Sequence, residues 1–346
     1  SNKFYKLSPY WGGGLSLSDT DVVKMLNEQG VEAYAAEVGP LNSAWDRACE
    51  LYAQLMGTVV DYGEAHSKEH NHDRYGFSYE GRPLMGEPWD TTEKINLVGH
   101  SFGGNTINLF TSILEYGSEA EIQASGNDCS PFFKGGKGEY VNSVTTLCAP
   151  HNGSTLFYVV DRGNLVETAL NVLFATGGIG NMYNSSLVDF QLEHFGIKSG
   201  ADDTISLVNG EFSQGKDNAF YDLSPDGAEE LNKTIKTVES VYYFSYSYST
   251  TKEGSFLRGH VPTTGTLPIL SPFAMAMGSF KGTTAGGIAI DESWQENDGL
   301  VSVVSAKYPT NDAYTELTAD PKDAPESWEN IETGIWYVAP TKDGDH

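Results

Sequence analysis

Residues 94–117 read KINLVGHSFGGNTINLFTSILEYG. The apolar run INLV, bounded on both sides, has the length and composition of a buried strand, and GGNTINLFTSILEYG reads as a helix. Between them Gly99-His100-Ser101-Phe102-Gly103 fits the pattern G-x-S-x-G in the strand-turn-helix context that gives it chemical meaning. The glycines let the chain turn sharply while neighbouring backbone comes close. That leaves the serine hydroxyl at the tip of the turn with a helix N-terminus behind it. Ser101 is the candidate nucleophile, and the Phe102 amide is aimed where an oxyanion would form.

The same alternation continues outward. SDTDVVKMLNEQ, from Ser18, is a capped amphipathic stretch ending at Gly30; VEAYAAEV reads as a strand; Ser43 to about Val59 reads as a helix; VNSVTTLCAP reads as another strand. This favours a mostly parallel sheet covered by helices on both faces. From Ser154 to about Ile197 the texture changes. LVETALNVLFATGGIGNM is apolar almost all round and broken by glycines, which suits either a buried helix or a mobile lid. A strand-like VYYFSYSYS (241–249), a Gly/Thr/Pro-rich region from about 261 to 287 and a last strand signal, WYVAP, follow. With no internal repeat, one domain carrying insertions is expected.

Lys and Arg total 21 against 47 Asp and Glu in 346 residues, a formal charge of −26, which excludes attraction to nucleic acid or an anionic lipid surface by simple Coulomb forces. Cys49, Cys129 and Cys148 lie far apart without C-x-x-C spacing, so buried free thiols are expected rather than a disulfide scaffold. No apolar run reaches the length of a membrane span, and no signal segment opens the chain. It begins Ser1-Asn2-Lys3 without an initiator Met and stops at His346, so both natural ends are expected to lie outside it.

A serine hydroxyl needs a histidine to take its proton and a carboxylate to orient that histidine. Downstream stand His151, His194, His260 and His346. His151, in APHNGST, reads as a structural turn residue, whereas His346 lies shortly beyond the last strand signal. Asp298, in ENDGLVSVVS, fits a plain turn aspartate and a catalytic acid equally well. Separately, the run from Asp61 to Arg74 holds His66, His70 and His72, three of the eight histidines. It reads either as a polar surface loop or as part of a zinc site built without thiolates.

The phrases VGPLNSAWDRACELYAQLMGTVVDYGEAHSKEHNHDRYG, GHSFGGNT, SVTTLCAPHNGST, YDLSPDGAEELN and WQENDGLV together resemble the secreted bacterial lipases of the Geobacillus and staphylococcal type (family I.5), from about Tyr10 to the last residue. The resemblance implies an α/β-hydrolase fold in a single domain over 1–346, with a helical lid at about 155–197. It also implies a zinc-binding insertion formed by about 60–90 and about 205–225. The implied activity is hydrolysis of triacylglycerols at a lipid–water interface through an acyl-enzyme, with Ser101 as nucleophile, Asp298 as acid, His346 as base and Phe102 as oxyanion donor. Zinc ligands carry over to Asp46, His66, His72 and Asp222, leaving His70 as a neighbour; with four protein ligands the zinc is structural. Calcium is expected in the full-length protein, with a glycine carbonyl near Gly265 as the ligand left in this chain and the calcium carboxylates beyond the catalytic histidine. The strand that in the family precedes YWGG and supplies the second oxyanion donor is missing before Ser1, so the N-terminal strand and C-terminal segment read as truncated. Phe102 also replaces a frequent Gln. A short-chain carboxylesterase and a catalytically silent lipid-binding protein on the same fold are the competing expectations.

Overall fold

The apolar runs at 95–100 and 141–147 pair as neighbouring parallel strands, and three later runs extend the ladder. The computed structural model describes residues 11, 21–89, 93–160, 191–197, 211–255, 258–320, 322–323 and 330–346. Its Cα positions divide into two compact units. One comprises Ser1–Asp90, Gln123–Ser130 and Arg162–Asn218; the other comprises Thr91–Ile122, Pro131–Asp161 and Ala219–His346.

The second unit holds the central sheet: β1 (Ile95–His100), β2 (Val141–Leu147), β3 (Tyr242–Tyr246), β4 (Tyr314–Glu316) and β5 (Trp336–Val338). Their spatial order is β4-β5-β3-β2-β1, and every neighbouring pair is parallel. Parallel neighbours need a crossover, and the helix Phe102–Tyr116 supplies it between β1 and β2. Val141, Val144, Tyr243 and Trp336 have no solvent exposure, which is why these strands read as apolar runs. The crossover helix buries almost every residue from Phe102 to Leu114 and ends at Gly117, whose φ of 67° suits glycine.

The first unit is built on the helix Ala44–Met56, capped by Ser43, whose hydroxyl accepts from the Asp46 amide. Three polar side chains at i, i+4 and i+8, Asp46, Glu50 and Gln54, line one buried face of it. The expected strand at VEAYAAEV does not form. Its backbone is served by that helix instead: Gln54 bonds both the amide (3.0 Å) and the carbonyl (2.6 Å) of Glu37, and Glu50 accepts from the Gly39 amide at 2.6 Å. Side chains have taken the groups a ladder would have used. Beyond it, Val59–Asp61 pairs antiparallel with Tyr75–Ser78, enclosing the helix Glu64–His70.

All three cysteines are buried, and none forms a disulfide. Of the stretch expected to form a lid, the one-turn helix Leu156–Val159 and the turn Glu193–Phe195 are seen, and residues 161–190 lie outside the described residues. Among the described residues no helix is long and apolar enough to cross a membrane.

The turn between β1 and its helix depends on two glycines. A Cβ on Gly99 would sit 2.5 Å from the Gly103 carbonyl, and one on Gly104 would sit 2.4 Å from the Ala149 methyl; at Gly103 nothing lies within 4 Å. Gly104→Ala should therefore lower stability by about 1–3 kcal/mol through overpacking. Gly103→Ala, one residue away, should be neutral or stabilise by up to about 1 kcal/mol through helix propensity. Urea unfolding midpoints of the two variants test this contrast.

Candidate active site and metal centre

Ser101 sits between β1 and the helix Phe102–Tyr116 with φ 52° and ψ −132°, a strained backbone for a residue with a side chain. The turn is held on both sides: its amide donates to the Leu147 carbonyl of β2 at 2.8 Å, and its carbonyl accepts from the Gly104 amide at 2.9 Å. Phe102 opens the helix and is buried, so its amide belongs to the positive end of the helix dipole.

Asp298, 1% exposed, lies in a tight turn created by END-G. Gly299 adopts φ 102°, and its amide donates to the Asn297 side chain at 2.9 Å. The Oδ1 of Asp298 accepts from the amides of Leu300 (2.9 Å) and Val301 (2.7 Å), leaving Oδ2 for His346 Nδ1 at 2.9 Å. The His346 amide also donates to the Asp298 carbonyl at 3.0 Å. With Nδ1–H committed to the carboxylate, Nε2 is the tautomer's proton acceptor. The His346 ring lies 4.8 Å from that of His100, the residue before Ser101. Burial, reinforced by His346, pushes His100 down to about 3, so it adds no charge beside the base.

Cys148, read from sequence only as a buried thiol, also belongs here. Burial pushes its thiol well above the ordinary range, and the charge of Asp298 adds to that. It therefore remains protonated. His151 has the turn role expected of it: 1% exposed, its Nε2 meets the Thr146 hydroxyl at 3.1 Å and its ring packs on Trp336 at 4.8 Å. At Gly265, where a calcium ligand is expected, Asp345 accepts from the nearby Leu267 amide at 3.2 Å.

In the first unit the structure brings Asp46, His66 and His72 together with Asp217. Asp222, the expected fourth ligand, is not in the group; it closes the one-turn helix Ala219–Asp222, while Asp217 precedes that helix. Asn218, which donates to the carbonyls of Phe212 (2.8 Å) and Gly215 (2.9 Å), fixes the chain beside Asp217. KDNAFYD offers two aspartates five residues apart, and only the helix start between them distinguishes their positions.

The six-residue spacing of His66 and His72 works because Asn71 caps the helix in the left-handed region (φ 57°) and turns the chain back. The two rings then lie 5.3 Å apart, and Trp45 stacks on His66 at 5.1 Å. His72 Nδ1 donates to the Asp73 carbonyl at 2.8 Å, which turns the lone pair of Nε2 toward the group. Nε2 of His66 stands 3.3 Å from both Asp46 Oδ1 and Asp217 Oδ2, and Nε2 of His72 stands 3.2 Å from Asp217 Oδ2. A tetrahedron with such edges has its centre roughly 2.0 Å from each corner, the length of a bond from zinc to nitrogen or oxygen. Asp46 Oδ1, His72 Nε2 and Asp217 Oδ2 are buried there without a satisfying hydrogen bond.

The electrostatics agree with the geometry. Burial opposes charge on His66, but Asp217 and Asp46 outweigh it and push the imidazole up to about 10. Burial likewise opposes ionising Asp217, yet His66 and His72 hold its carboxyl well below the usual range. The pocket selects positive charge, as protons or as a cation. His70 stands beside His66, with ring centres 4.6 Å apart, and outside the group.

A parallel sheet with a strained serine elbow, followed in chain order by a buried aspartate and the histidine bonded to it, defines an α/β-hydrolase-type fold, and structures of bacterial lipases match it. The profile of the lipase-like C-terminal domain family matches residues 3–346, and the chain belongs to that family. It is 35% identical to a lipase of Staphylococcus epidermidis over 98% of its own length and 46% of that protein's. Its identity to Lipase 1 of Staphylococcus aureus is 34% over 98% and 47%. The chain thus spans about half the length of the curated relatives it matches. Among solved structures, EstA from Clostridium botulinum matches with a TM-score of 0.85 and 36% identity over 97% of this chain and 77% of that one. Lipase 1 from Pelosinus fermentans gives 0.80 and 34% over 97% and 86%, and the Staphylococcus hyicus lipase gives 0.76 and 30% over 97% and 81%.

His151 carries a pH prediction. Burial pushes its imidazole down to about 3, whereas an unfolded chain protonates it near 6.5. Its contribution to stability is full above about 6.5 and is lost as pH falls from there toward 3, because the unfolded state gains the proton first. His151→Gln should reduce the slope of stability against pH between about 6.5 and 4.5 by at most roughly 1.4 kcal/mol per unit. Urea unfolding at several pH values measures it.

Proposed function

We propose that the chain is the catalytic part of a lipase that hydrolyses acylglycerol esters through an acyl-enzyme. Ser101 attacks the ester carbonyl, His346 Nε2 takes its proton, Asp298 orients and stabilises the imidazolium, and the Phe102 amide supports the oxyanion. The observation that carries this reading is the His346–Asp298 hydrogen bond of 2.9 Å in the same unit as the strained Ser101 elbow. The lipases named above add to it. A lid in residues 155–197, export from the cell and calcium binding by the whole protein are carried with the family reading.

A fluorophosphonate probe should label the chain at Ser101 and leave folded Ser101→Ala unlabelled. Asp298→Asn should cut turnover by about 10³–10⁴-fold with the fold intact. Equal labelling of both proteins would remove the nucleophile assignment. Rates on nitrophenyl esters of rising chain length, with and without an interface, separate a lipase from a short-chain carboxylesterase.

We also propose that Asp46, His66, His72 and Asp217 hold zinc. The donor set, its spacing and its unsatisfied buried atoms support this reading. Zinc bound there would be structural, joining distant segments, because protein fills all four positions. After dialysis, Asp217→Ala should lose zinc and Asp222→Ala should keep it. The reverse pattern would restore Asp222 as the ligand.

A further inference from the structure

His194 takes no part in the triad and lies outside the ligand quartet, yet it is 4% exposed and its Nε2 stands 3.1 Å from Asp46 Oδ2. That is the oxygen Asp46 does not offer to the group; Oδ1 is the one that faces His66. We propose that His194 is a positioning residue for the metal centre: its Nε2–H holds Asp46 Oδ2, so that the carboxylate presents Oδ1 alone to the cation. This rests on the metal reading above.

The surroundings fix the ring in that task. Tyr62 packs against it at 4.2 Å and Phe195 at 4.4 Å, and the edge of His72 lies 5.0 Å away. Its own carbonyl accepts from the Asp73 amide at 2.9 Å, tying its backbone to the residue after His72. Asp46 has no solvent exposure, so an unmet Oδ2 would have no water to turn to. Without a donor, the carboxylate would rotate to put both oxygens on the cation, and the site would move from four ligand atoms toward five. Partners of this outer kind set ligand orientation and metal affinity.

The test uses the full chain and two variants. His194→Phe keeps the ring packing and removes the donor; His194→Gln returns an N–H. Zinc affinity is measured by competition with a chelator, and cobalt substitution reports coordination number through the visible absorption of the ion. His194→Phe should bind zinc about 10–100-fold more weakly. Its cobalt bands should weaken toward a five-coordinate pattern, and His194→Gln should recover part of both. Wild-type affinity and a wild-type cobalt spectrum in His194→Phe would overturn the proposal. If His194→Phe does not fold, as judged by circular dichroism, His194→Gln is compared with His194→Ala, and equal affinities would overturn it as well. Absence of zinc and cobalt binding in the wild-type chain would instead remove the metal reading itself.

Discussion

A carboxylate taken out of water must be met by donors or by a cation, and both units of this protein are organised by that requirement. Asp298 is answered by two backbone amides and an imidazole. Glu50, with no exposure, is answered by the Gly39 amide, the Asn42 amide group and the Tyr62 hydroxyl; burial still pushes its carboxyl up to about 8. Asp46 is answered on one oxygen by His194 and turns the other into the ligand quartet. At Glu50 and Asp46 the answering groups come from other segments of the chain, so satisfying one buried carboxyl fixes the path of more than one segment.

The same requirement explains the contrast between the two sites. At Asp298 the count of donors closes, and the remaining function of the carboxylate is to set the tautomer and orientation of His346. In the quartet the count does not close with protein groups alone. Two carboxylates and two imidazoles converge on one point, and the balance requires added positive charge.

Much of this was legible in residues 94–117, because the strand, the elbow and the helix are contiguous and each obeys a local rule. The helix at Ala44–Met56 and the strands at 141–147 and 336–338 were legible for the same reason. VEAYAAEV was not, since whether an apolar run becomes a strand depends on whether another strand lies beside it. The buried polar stripe of Asp46, Glu50 and Gln54 does stand in the sequence at helical spacing. Read as a helix face that must be answered by neighbouring backbone, it would have warned against a strand there. The helix Ser271–Ser279 was hidden in a region whose composition suggested loops. Asp217 could not be told from Asp222 by pattern, because the choice depends on where a one-turn helix begins, and helix starts are uncertain by a residue or two in any sequence reading. Cys148 gave no signal at all.

Each unit is assembled from three separate stretches of chain. The ligand quartet draws on Asp46, His66 and His72 early in the sequence and on Asp217 much later. On a ribosome, the first three ligands would therefore emerge long before the fourth. A cation could bridge the early loop at that stage but could not close the long one. With a cation bound there, the final coordination bond would be a late event in synthesis, and it would close a loop of the kind whose ends are costly to bring together.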